Sequence, residues 1–148
     1  MRLLLRVTTT IAVLVATAAL FATARDALDI RQATFQVLEI SREIERRYAN
    51  APSYRDASVT LAPAQPDSHH PTHPWGGPVA VEGHRRHFLV LFAGLNGRQC
   101  RLVIDEVATS HAFTTVLNPP PGTSPADLEP RPSSACRPDA NTVGFVFP

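Results

Sequence analysis

Lysine is absent: the 14 basic side chains are all arginine, set against 13 aspartates and glutamates for a formal net charge of +1. A chain so nearly neutral has no global field, which excludes recruitment of nucleic acid or of a strongly acidic partner by charge alone. The missing lysine has its simplest reading in a GC-rich coding sequence, lysine codons being AAA and AAG, and no function is attached to it. A glycine-rich phosphate loop is also missing. The basic stretch His84-Arg85-Arg86-His87 lacks the interleaved aromatics that base stacking needs, so it reads as a solvated turn.

Two further absences organise the N-terminal third. No charge occurs from Val7 to Ala24, behind Arg2 and Arg6. A basic start followed by such an apolar run is an export or membrane signal. Two readings of it stay open. Ala22-Thr23-Ala24 has the A-x-A form that signal peptidase accepts, whereas a run of this length also suits a membrane helix that stays attached. The second absence is of glycine and proline between Arg25 and Tyr48. Ile30, Thr34, Val37, Ser41, Ile44 and Tyr48 recur there at helical spacing, and Leu28, Phe35 and Leu38 widen the stripe expected to be buried. Nothing breaks the helix between Ala24 and Arg25, so one continuous helix is expected, apolar all round at first and one-sided later. Asn50 and Pro52 end it.

Proline is what the rest of the chain has in excess. Of 148 residues 14 are proline, about twice the usual share, and most follow Ala51. That excludes an all-helical C-terminal half. Residues 51–72 read as a proline-rich connection with a short strand at Ser58–Leu61. His73-Pro74-Trp75-Gly76-Gly77 is a turn. Pro78–Glu82 and His87–Phe92 then form two strands of an antiparallel hairpin. Cys100–Val107 is compatible with helix or strand, and the placement of Leu102, Val103 and Val107 near one face favours a short helix. His111–Leu117 reads as a further strand, Pro119–Pro132 as a loop, and Thr142–Phe147 as a terminal strand with Val143, Phe145 and Phe147 on one face. The expected fold is α+β: a long N-terminal helix packed on a small antiparallel sheet, divided as 1–24 apolar segment, 25–50 amphipathic helix, 51–72 connection and 73–148 head.

There are two cysteines, Cys100 and Cys136. An export signal places them in an oxidising compartment, where a pair bonds. Other chemistry is poorly provided for. His69, His70 and His73 beside Asp67 suggest a metal, but Pro71 and Pro74 prevent a helix from presenting the imidazoles on one face, and a solvated loop is the simpler reading. Ser110-His111 has no partner at a recognisable spacing. Asp105 and Glu106 are adjacent and so point apart. Trp75 reads as an anchor at the sheet edge. No catalytic residue, cofactor-binding residue or metal ligand is assigned, and a small hydrolase is the least supported class.

The segment HPWGGPVAV (His73–Val81), then HFLVLFAGL with Cys100, then Ala135-Cys136, Asn141-Thr142-Val143 and Phe145–Pro148, resembles type IVb pilins, in particular the PilS class of conjugative and related systems. The resemblance covers His73 to Pro148, and Arg25 to Tyr54 in character. It implies a structural, non-enzymatic subunit with a loop closed by Cys100–Cys136. It further implies a homo-oligomeric filament assembled through the N-terminal helix, with other pilus or secretion components as partners and no nucleic acid. The precursor would sit in the inner membrane and the product in an extracellular pilus; the alternative is a soluble periplasmic or secreted protein cleaved after Ala24. The chain departs from the family pattern in one respect. No glycine precedes Val7 and no acidic residue precedes Asp26, whereas pilins carry a leader ending in glycine and a glutamate soon after it. A leader upstream of Met1, a non-polymerising relative and a soluble descendant are the three readings of that departure.

Overall fold

In a computed structural model, residues 2–57, 71–109, 111, 113–124 and 127–148 are described, with side chains described from Ile11 onward. Helix α1 runs unbroken over Arg2–Tyr48, about 70 Å at 1.5 Å per residue. Its second half packs on a four-stranded antiparallel sheet of β1 (Val79–Gly83), β2 (Phe88–Leu95), β3 (Thr114–Leu117) and β4 (Asn141–Phe147), in the order β1-β2-β4-β3. The fold is thus the expected α+β arrangement. The last strand takes a central place between β2 and β3.

Register explains the core. Phe88, Val90 and Phe92 of β2 stand opposite Phe147, Phe145 and Val143 of β4, and Val79 and Val81 of β1 stand opposite Phe92 and Val90. All of these side chains therefore share the face turned toward α1, which contributes Ala33, Val37 and Ile44. Burying each such aromatic or branched side chain stabilises the fold by roughly 1.5–3 kcal/mol. On the opposite face a Cβ at Gly144 would lie 3.0 Å from side-chain carbons of both Leu91 and Val116, so those neighbours close over the glycine.

Between β2 and β3 the chain forms a short helix, α2 (Gly97–Leu102), that widens into a π-helical turn over Val103–Ala108. Asn96 and Gln99 start it with a reciprocal capping box, each side chain accepting from the other's backbone N–H. Val103 and Val107 face the core and Asp105 and Glu106 face solvent, the helical reading of this stretch. The strand expected over His111–Leu117 is shorter, because Phe113 leaves the ladder to pack its ring against Phe145 and Phe147. The strand expected at Ser58–Leu61 lies outside the described residues.

One expectation about α1 is corrected. Thr34, Val37, Ser41 and Ile44 are buried and Ile30, Leu38 and Tyr48 partly so, but Leu28 and Phe35 face away from the head. The reason is angular. At 100° per residue both lie nearly opposite Val37, and Ala33, small enough to let helix and sheet approach closely, fills the place they were expected to take.

Candidate functional site

The first half of α1 projects from the head where its side chains are described. From Ile11 to Arg25 every residue is exposed, and the most apolar stretch of the helix has none of its residues buried. By length and composition this helix can cross a membrane, and a signal sequence has the same properties. The threonines in the run are consistent with either. Thr17 Oγ1 donates to the carbonyls of Val13 and Leu14 at 3.0 and 2.9 Å, and Thr23 Oγ1 to that of Leu20 at 2.9 Å. Their hydroxyls are thereby satisfied within the helix, which lowers the cost of an apolar environment.

The exposed residues have an order that outlasts the apolar run. Leu14, Phe21, Leu28 and Phe35 follow one another at intervals of seven and are 62%, 72%, 65% and 71% exposed. Seven residues are close to two turns, so the four form one stripe along the face opposite the head, drifting only slowly around the axis. Half of the stripe belongs to the projecting segment and half to the segment fixed on the sheet. Leu38, Arg42 and Arg46 continue the flank, on a surface whose described lining residues all belong to α1. The interval of seven is legible in the sequence; the sequence reading instead assigned Leu28 and Phe35 to the packed face.

Below the stripe the head is tied to α1 by charge and covalently closed upon itself. Asp26, on the packed side of the helix, pairs with Arg98 of α2, and Gln36 donates to the Thr72 carbonyl at 3.0 Å. Cys100 of α2 is bonded to Cys136, with Cα atoms 6.0 Å apart. Asn141, fully buried, fastens the end of that loop: its side chain accepts from Arg137 N at 2.8 Å and donates to the carbonyls of Arg137 and Leu95 at 2.8 and 3.1 Å. Sequence reasoning quoted Asn141 only as part of the terminal motif and gave it no role, since an asparagine at the start of a strand carries no local sign of burial.

The histidine cluster separates. His69 and His70, with Asp67, lie outside the described residues. His73 is buried under Phe92 and Trp75, with its Nε2–H donating to the Ala93 carbonyl at 2.9 Å. Burial lowers its pKa below the ordinary 6.5, against a smaller raising effect of that hydrogen bond. His73 is a core residue that packs the turn. A Cβ at Gly77 would lie 2.3 Å from both its Nε2 and the Ala93 oxygen, so the second glycine of the turn makes room for it. Among the described residues no group of three or more histidine, cysteine, aspartate or glutamate side chains is arranged to hold a metal.

The other candidates stay apart. His84 Nε2 lies 3.5 Å from Glu82 Oε1, which also accepts from Gly122 N at 2.8 Å and so holds the loop after β3 to the edge of β1. Arg85 and Arg86 are exposed at the turn beside it. His111 stacks on Phe113, and Ser110 lies outside the described residues. Trp75 sits half-buried beside α1. No family model matches the chain, and no curated protein matches it.

Proposed function

We propose that this chain is a pilin-like structural subunit, held in a membrane by the apolar half of α1 and assembled with its own copies into a filament through the same helix. The observation that carries the reading is the stripe Leu14–Phe21–Leu28–Phe35. An apolar seam at intervals of seven, spanning both a projecting and a head-bound segment, suits helix-to-helix packing between copies. The head has the arrangement such a subunit needs: a sheet on one side of the helix, Leu28 and Phe35 exposed on the other, and a loop closed covalently by Cys100–Cys136. The resemblance of His73–Pro148 to type IVb pilins supports the same reading.

The test is the stripe itself. Because Leu28 and Phe35 contribute little to the core, Leu28→Gln and Phe35→Gln should each leave the unfolding free energy of the head within about 0.5 kcal/mol of its original value. The same pair should abolish sedimentable filaments in the native host. Filaments that persist at normal abundance would sink the proposal.

The second reading, a soluble exported protein cleaved after Ala24, is favoured by Ala22-Thr23-Ala24 and by the fact that packing on the head begins just beyond it, at Asp26. Mass spectrometry of the mature N-terminus separates the two, since a chain beginning at Arg25 has lost the upper half of the seam.

A further inference from the structure

One cleft of the molecule sits where the apolar half of α1 gives way to the head. It has a volume of about 540 Å³, and α1 forms one wall over Ala22, Arg25, Asp26 and Asp29. Trp75 and Gly76 of the turn and Arg98 and Leu102 of α2 form the other. The wall from Ala22 to Asp29 rises about 10 Å along the helix axis. It starts in the last turn of the uncharged run and ends just past it. A bilayer has an apolar core of about 30 Å inside a total of about 40–45 Å, which leaves a headgroup layer some 5–8 Å deep on each side. A helix buried up to Ala24 therefore sets this cleft within that layer.

The lining has the chemistry of that layer. Trp75 offers an amphipathic ring of the kind that collects at membrane interfaces. It is backed by His73, which is itself fixed to the Ala93 carbonyl, so the ring is held and not merely loose on the surface. Charges in the cleft are balanced, two arginines against two aspartates. Arg98 and Asp26 pair with each other, while Arg25 and Asp29 show no ion pair among the described residues. A cationic and an anionic group on adjacent turns match the two charges of a zwitterionic phospholipid headgroup: phosphate toward Arg25, ammonium toward Asp29.

We propose that the base of the head is a membrane-docking surface, with the Trp75–Arg25–Asp29 cleft seated among zwitterionic phospholipid headgroups before assembly. This rests on the reading that α1 remains in the membrane. On that view the head lies on the bilayer and does not swing free above it, and the orientation in which its seam is presented is set by the lipid surface.

Trp75 is the single tryptophan of the chain, so its fluorescence reports on this cleft alone. The full-length protein is reconstituted into phosphatidylcholine–phosphatidylethanolamine vesicles carrying a nitroxide either on the headgroup or deep in the acyl chain. Flotation of the vesicles shows separately whether the protein is anchored. The expected result is anchored protein whose Trp75 emission is quenched most strongly by the headgroup label. Replacing both charges, Arg25→Gln with Asp29→Asn, should lower that quenching roughly twofold, the size of an exposed charge contact, with flotation and melting unchanged. Anchored protein with Trp75 unquenched, or quenched best by the deep label, overturns the docking surface and leaves the membrane reading standing. Protein that fails to float overturns both.

Discussion

His73 shows what a residue gains and loses by its surroundings. In sequence it belongs to a histidine-rich stretch; in the fold it is a neutral ring wedged between Phe92 and Trp75, donating through Nε2 to Ala93. Burial disfavours its charged form and lowers its pKa from 6.5. The unfolded chain therefore binds this proton more readily than the folded one. The stability His73 confers is fully present above about pH 6.5, and is lost as pH falls from there through the depressed folded value, at about 1.4 kcal/mol per unit of depression. Urea midpoints should thus fall between pH 7.5 and pH 5. In His73→Gln, whose amide can still donate to Ala93 without titrating, that part of the slope should vanish. Equal slopes in the two proteins would show that the ring charges freely in place. Metal binding by this residue is a different matter from its protonation: with its Nε2 committed to Ala93 and its Nδ1 enclosed, His73 has no lone pair to offer outside without opening the turn.

At the scale of elements, the legible and the illegible divide by the range of the interactions that decide them. β2 and β4 were legible because alternation of Val143, Phe145 and Phe147 and the run Phe88–Phe92 state a buried face directly. So was α1, from the lack of glycine and proline. The face of α1 that meets the sheet was read only in part: Leu28 and Phe35 are as apolar as Val37, and only the placement of the sheet decides which side is covered. The Arg98–Asp26 tie and the Asn141 fastening join residues far apart in the chain and leave no local pattern at all. The disulfide was readable from compartment and count, and it closes the element that has least else to hold it. Between β3 and β4 the described residues form one 3₁₀ turn at Ser133–Ala135 and little other regular structure. Cys100–Cys136, with a separation of 36 residues, should contribute roughly 3–4 kcal/mol by restricting the unfolded chain. Cys136→Ser should lower the melting temperature accordingly and expose the segment after Asn118 to protease, with cleavage mapped by mass spectrometry. Unchanged melting would mean that Asn141 and the Gly97–Pro138 backbone bond hold the loop alone.

For the whole molecule the governing fact is an imbalance: a head with a well-filled core carries a helix whose stretch Ile11–Ala24 is uncharged and exposed at every described residue. In water such a segment is a liability, because each exposed leucine or valine forgoes roughly 1.5–3 kcal/mol of burial. Some environment must supply that burial, and a bilayer and a bundle of sister helices are both apolar enough. The two are sequential states on the proposed reading, membrane first and filament afterwards. A charge in the middle of the run discriminates between a retained helix and a removed signal. Val13→Asp places a carboxylate near the centre of the apolar segment at a cost of about 3 kcal/mol on insertion scales, enough to shift a segment whose threonines already leave it only moderately hydrophobic. If α1 is retained, alkaline extraction of membranes should release the variant while the original protein stays in the pellet. If the segment is only a signal, the mature head is soluble in both cases, and the substitution changes the amount exported without altering where the exported protein is found. A variant that stays in the membrane pellet as firmly as the original would place the anchoring elsewhere than Ile11–Ala24, and the seam through Leu14 and Phe21 would lose its physical basis.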